Sequence, residues 1–211
     1  FFNIQWNLAV TDTPDAWRFT TGSSKVLIVS VDNGLPSAPN GGDDLDPARV
    51  NASAAGAISS SGSDSHGHQS ISIMSSMVNN AIGIAGINWS SPVLVEDPYN
   101  GASSANFSLS DALTYAVSKG YEHVVFQGGI QGENWLTSGG TPAQLQQLIA
   151  ANADYALFAV AAGNGAVDID VTNPANKVLS GGVARFAATN ANVIAVGALI
   201  PNPTDAFTTP V

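Results

Sequence analysis

The stretch Lys25-Val26-Leu27-Ile28-Val29-Ser30-Val31-Asp32-Asn33-Gly34 decides how this chain folds. Its apolar run has almost no polar alternation, as in a strand covered on both faces, and Asp-Asn-Gly then supplies turn chemistry. Similar runs recur at 92–96, 122–126, 155–162 and 192–198. Helical patterns lie between them. Thr13-Pro14 opens one that carries Ala16, Trp17 and Phe19. A second starts near Ser108 or Ser110, carries Ala112, Leu113, Ala116 and Val117, and meets Gly120 as a terminator. A third opens at Thr141-Pro142, a cap followed by proline at the first helical position, and carries Leu145, Leu148 and Ile149. Strand, helix, strand in repetition predicts an α/β fold with a mostly parallel central sheet and helices on both faces. Segments 35–64 and 168–184 fit no element and read as long surface loops, which often carry the site in such folds.

Composition narrows the function. The 211 residues fit one domain at about 150 residues per domain, enough to bury roughly 70% of the unfolded chain's surface. A net charge of −10 disfavours nucleic acid and anionic lipid surfaces as partners. With no cysteine, disulfides, thiolate metal sites and cysteine nucleophiles are excluded. Charged residues are only 10% of the chain, so the surface must be mostly neutral and polar, which suits a secreted, extracellular protein. No apolar run reaches the ~18 residues of a membrane span. The start, Phe1-Phe2-Asn3, has no basic leader region, so any signal segment is expected to have been removed.

In open α/β sheets the ligand crevice lies at the carboxyl ends of the strands. Three polar groups are expected there. Asp32 follows the first strand, His66 opens His66-Gly67-His68 before a helix-like run (Ile71, Met74, Met77), and Asn164 ends Ala161-Ala162-Gly163-Asn164-Gly165. A carboxylate that orients an imidazole, with an amide donor nearby, supplies much of an acyl-transfer site. Each also has a plainer reading: a turn, a solvated histidine, a strand exit needing positive φ. Asp64, His66 and His68 on an extended segment would form a third alternative, a metal site.

The order and context of these pieces resemble the subtilisin-like serine proteases (subtilases). Gln5-Trp6-Asn7-Leu8 and Thr13-Pro14-Asp15-Ala16-Trp17 are similar to the start of that family's core. Val29-Ser30-Val31-Asp32-Asn33-Gly34 resembles its Asp-Thr/Ser-Gly motif. His66-Gly67, with Asn79-Asn80-Ala81-Ile82-Gly83-Ile84 beyond it, resembles its catalytic-histidine helix and following loop. The segment 161–165 resembles the oxyanion strand, and 192–198 the strand after it. The resemblance implies a three-layer subtilisin-like fold and a serine endopeptidase. Asp32 would orient the imidazole, His66 would be general base and then acid, and Asn164 would donate to the oxyanion. Gly101, Gly128 and Gly129 would pair with an extended peptide substrate. It also implies a structural calcium ion, with Asn80 as a ligand and Asp43, Asp44 and Asp46 available, although the family's N-terminal glutamine ligand falls on Phe2.

The pattern breaks at the nucleophile. The family's Gly-Thr-Ser-Met-Ala motif is absent, and no serine sits in a G-x-S-x-G elbow. Ser70 and Ser72 read as helix-surface or packing residues. The family's substrate strand, Ser-Leu-Gly-Gly, is Phe126-Gln127-Gly128-Gly129 here, and His68-Gln69 replaces Thr-His. Residues 1–211 therefore read as the N-terminal two-thirds of a catalytic domain, with a companion C-terminal fragment or chain expected to complete core and triad. The competing expectation is a catalytically inactive subtilase-like module that binds a peptide or protein in the same cleft.

Overall fold

A computed structural model describes residues 5–53, 57–58, 66–98, 108–129, 141–164, 169 and 182–198. Two short helices, α1 (Trp6–Val10) and α2 (Thr13–Ala16), precede strand β1 (Val26–Val31). Then come β2 (Val50–Asn51), α3 (His66–Ser75), β3 (Val93–Glu96), α4 (Leu109–Ser118), β4 (His123–Gly128), α5 (Pro142–Ala151), β5 (Ala156–Ala161), a 3-10 helix (Gly182–Ala188) and β6 (Val193–Val196). The strands form one six-stranded sheet in the order β2-β3-β1-β4-β5-β6. All of its described pairings are parallel, which places the carboxyl ends of the strands on one rim.

The apolar run of β1 serves two cores. Leu27, Val29 and Val31 join Phe126 and Phe158 beneath Leu109 and Leu113 of α4 and Leu145 and Ile149 of α5. Phe126 and Phe158 stack with ring centroids 4.8 Å apart. On the other face Ile28 packs against a cluster containing Ile71 of α3, Val93 and Val95. Burial on both faces removes any need for polar alternation, which is why the run reads as it does. The helices are closed by local polar chemistry. The Ser108 hydroxyl accepts from Asp111 N at the start of α4, and Thr141 and Gln144 form a reciprocal capping box at the start of α5.

Several boundaries differ from the sequence reading. The helix opened by Thr13-Pro14 stops at Ala16, and the strand expected over 122–126 runs from His123 to Gly128. The segment 35–64, expected to be only loop, contains β2 and a bridge between Leu35 and Ile58. Two residues are too few to show periodicity; β2 exists because Val50 finds Val93 as a parallel partner. The 3-10 helix begins inside the expected loop 168–184, where Val183, Ala184 and Phe186 plug into the larger core. The strands at 155–162 and 192–198 shorten to β5 and β6, and among the described residues the core elements α4, α5 and the 3-10 helix bury one of their faces. Leu157, Ile194 and Val196 are 37%, 48% and 51% exposed. They lie on the side of the sheet opposite α4 and α5.

Candidate active site

Strand β1 delivers Asp32 to the carboxyl rim, and α3 begins at His66 directly beside it. Gly67 makes that approach feasible. A Cβ on Gly67 would sit 2.4 Å from Gly34 O and 2.8 Å from Gly34 N, so the first turn of α3 rests on the 32–34 turn. The result is a 2.7 Å contact between His66 Nδ1 and Asp32 Oδ1. Asp32 is 1% exposed, whereas the His66 side chain is 58% exposed, so the pair has a buried carboxylate end and a solvent-facing imidazole end. An ionised carboxylate can only accept; Nδ1 therefore donates and Nε2 is left as the acceptor facing outward.

Two neighbours complete the surroundings of Asp32. Asn33 N donates to Oδ1 at 2.8 Å, and the Ser70 hydroxyl donates to Oδ2 at 3.1 Å. The expectation that Ser70 is a helix-surface or packing residue is thus corrected: four residues after His66, it returns to the same face of α3. Gly129, just past β4, closes the other side. A Cβ there would lie 2.1 Å from Asp32 Oδ2 and 2.9 Å from His66 Cε1.

Gly128 is the last residue of β4 and lies in register with Val31 of β1 and Val160 of β5. Asn164 follows β5 on this rim as an exposed residue, after Gly163 at φ 95°. Gly101 lies outside the described residues. The metal alternative built on Asp64, His66 and His68 assumed an extended segment. His66 and His68 instead lie two positions apart on a helix, where side chains diverge, and Asp64 is outside the described residues. Among the described residues there is no group of three or more His, Asp or Glu side chains placed to hold a metal ion.

A cavity of about 260 Å3 opens between the end of β3 and the start of α4, lined by Asn51, Leu94, Glu96, Ser108, Asp111 and Tyr115 among others. It lies on the α4 face of the sheet, where Leu94 and Val31 are buried, whereas His66 comes from α3 on the other face; the backbones meet only through Asp32 N, which donates to Glu96 O at 3.1 Å. Burial, with the nearby Asp111 charge adding to it, pushes the Glu96 carboxyl up to about 7 from its usual 4.5. No motif flagged this residue, which reads in sequence as the polar end of a strand.

The loop after α3 was expected to hold calcium through Asn80 and a nearby aspartate. Asp44 is 5% exposed and does meet Asn80, but Asn80 Nδ2 donates to Asp44 Oδ1 at 2.7 Å and Ile84 N donates to Oδ2 at 3.0 Å. Asn80 Oδ1 in turn accepts from Ile82 N at 3.2 Å. Asp43 and Asp46 accept from backbone N–H groups of their own turns. Calcium takes roughly six to eight oxygen ligands; the carboxylates of Asp43, Asp44 and Asp46 and the Asn80 amide are the oxygens that the resemblance offers for it. These hydrogen bonds close the loop around Asp44. The glutamine that reaches this loop is Gln5, which exchanges two 2.9 Å hydrogen bonds with the Ala85 backbone.

No protein-family model matches the chain, and no curated protein matches it. Among solved structures it is similar to MycP1 with the N-terminal propeptide removed, at 19% identity and a TM-score of 0.49, over 77% of this chain and 50% of that one. It is similar to MycP1 from Mycobacterium smegmatis at 17% identity and a TM-score of 0.48, over 82% and 52% of the two chains. A third similar structure is described as a serine protease, MycP1, an essential component of the type VII (ESX-1) secretion system. That match has 17% identity and a TM-score of 0.41, over 82% and 54%. The chain spans about half the length of these structures.

Proposed function

We propose that this chain is the Asp–His portion of a subtilisin-like serine endopeptidase, with the serine contributed by a companion C-terminal segment or chain. The observation that carries the proposal is the 2.7 Å bond between His66 Nδ1 and the buried Asp32 carboxylate. In this reading Nε2 of His66 takes the proton from a serine hydroxyl as its Oγ attacks the peptide carbonyl. The imidazolium formed is stabilised by Asp32 and returns the proton to the leaving amine as the C–N bond breaks. Water then attacks the acyl-enzyme, again deprotonated by His66, and the serine recovers its proton. The Asn164 amide would donate to the oxyanion that develops on the carbonyl oxygen, a role worth on the order of 3 kcal/mol in such sites. Gly101 and the Gly128-Gly129 segment would pair with an extended peptide backbone by strand addition.

The companion segment is supported by the exposed apolar residues Leu157, Ile194 and Val196 of β5 and β6, on the side of the sheet opposite α4 and α5. Covering them would remove from water apolar surface worth about 25 cal/mol per Å2. The proposed location is extracellular, in keeping with a weakly charged chain whose surface is mostly neutral and polar; among the described residues no helix is long and apolar enough to cross a membrane. Nucleic acid and membrane surfaces are not proposed as partners.

A second reading, a peptide-binding module without acyl chemistry, is favoured by Gln127, which replaces the leucine of the family's substrate strand and accepts from the Ser30 hydroxyl at 2.9 Å. One experiment separates the two. Intact-mass analysis of the purified protein, followed by a fluorophosphonate probe, should reveal a companion polypeptide that takes the label. A single unlabelled species that folds alone refutes the peptidase and leaves the binding module.

A further inference from the structure

We infer that Ser70 is a positioning residue for the Asp32–His66 pair, locking the carboxylate so that the imidazole keeps its proton on Nδ1. The inference rests on reading that pair as the acid–base unit. Asp32 Oδ1 receives two donors, Asn33 N and His66 Nδ1, while Oδ2 receives Ser70 Oγ. The final torsion of an aspartate is broad and roughly two-fold, so a carboxylate held at one oxygen alone can swing. Ser70 holds the second oxygen by a hydrogen bond, and the backbone at Gly129 packs closely against it. A carboxylate 1% exposed also has no water to fall back on if a donor is removed.

The source of the donor is as informative as its target. Mid-helix serines commonly turn their hydroxyl back to the carbonyl one turn earlier. Ser70 instead reaches across to β1's aspartate from the same face of α3 that presents His66. One helical turn therefore carries both the base and the group that steadies the base's partner. Any movement of α3 along its axis would move both together and preserve their spacing relative to each other.

The test is spectroscopic and independent of turnover. In protein carrying 15N-histidine, the His66 Nδ1–H resonance is assigned by its loss in His66→Gln, and its exchange with solvent is measured. Ser70→Ala and Ser70→Val are expected to speed that exchange roughly ten- to a hundred-fold, matching loss of a hydrogen bond to a charged group. Ser70→Thr, which has the shape of valine but keeps the hydroxyl, should stay near wild type, and Ser72→Ala should change nothing. Overturning results would be Thr and Val behaving alike, or exchange unaffected by Ser70→Ala. If Thr and Val both disrupt folding, Ser70 acts through bulk alone and the inference fails. A protein without hydrolytic activity whose Nδ1–H signal still depends on Ser70 would end the peptidase proposal and leave this one standing. An active protein indifferent to Ser70→Ala would do the reverse.

Discussion

Replacing Gly129 by alanine adds a single methyl group against the Asp–His pair. An ideal Cβ at this position falls 2.1 Å from Asp32 Oδ2, 2.9 Å from Asp32 Cγ and 2.9 Å from His66 Cε1. Relief of the oxygen contact requires a displacement of about 1 Å, given normal carbon–oxygen separations. Asp32 is poorly placed to yield, being buried and held by three donors. Turning the exposed His66 ring outward would relieve only the 2.9 Å contact at Cε1, so the 2.1 Å overlap must be met by the carboxylate or by the end of β4. A carboxylate shift of that size would stretch the 2.7 Å bond to roughly 3.7 Å, beyond hydrogen-bonding range. Overpacking of this kind costs about 1–3 kcal/mol of stability. Urea unfolding should therefore show a lowered midpoint with an unchanged slope, and the His66 Nδ1–H signal should disappear. A variant with wild-type midpoint and an intact Nδ1–H signal would refute the packing argument, because it would mean that the end of β4 does not press on the pair.

Other perturbations probe the remaining features. Glu96 binds its proton more tightly in the folded state, so folding stability falls as pH rises from about 4.5 to about 7 and then levels off. The full difference corresponds to about 3 kcal/mol; solvent screening of this partly exposed group reduces it to ~2 kcal/mol. Glu96→Gln should accordingly stabilise the protein at pH 8 and have little effect at pH 4, as read by denaturant titration; equal effects at both would contradict the assignment. Phe126→Ala removes one ring of the stacked core pair and should cost about 3–5 kcal/mol, measurable by the same titration. A chelator should leave the melting temperature unchanged, since the loop around Asp44 closes through N–H donors; a drop of several degrees would show that a cation holds it. In a complete, active assembly, Asn164→Ala should lower kcat with little change in KM, and an unchanged kcat would misplace the oxyanion donor.

What could be read from sequence, and what could not, follows from how each residue acts. The buried strand β1 was legible because double-sided burial leaves a contiguous apolar run, and α5 because Thr141-Pro142 carries its capping chemistry locally. The same logic overestimated burial at β6, where an apolar run such as Val193-Ile194-Ala195-Val196 reads identically whether its second face is covered or open. Asp32 and His66 were found through their positions after a strand and before a helix. Ser70 was not, since hydropathy does not report which way a hydroxyl points; its four-residue spacing from His66 was the available signal. Gln5 contacts a loop 80 positions away, a relation carried by tertiary structure alone.

The parallel arrangement of the sheet also governs how the protein reaches its folded state. Neighbouring strands of this kind cannot be joined by tight hairpins, and β1 must find β4 across nearly half the chain, Val26 beside His123. Closing such large loops consumes chain entropy before any contact repays it, so assembly is slow and partly collapsed intermediates are exposed to self-association. Refolding from denaturant should consequently give the best yield in dilute solution, with losses that grow steeply as concentration rises.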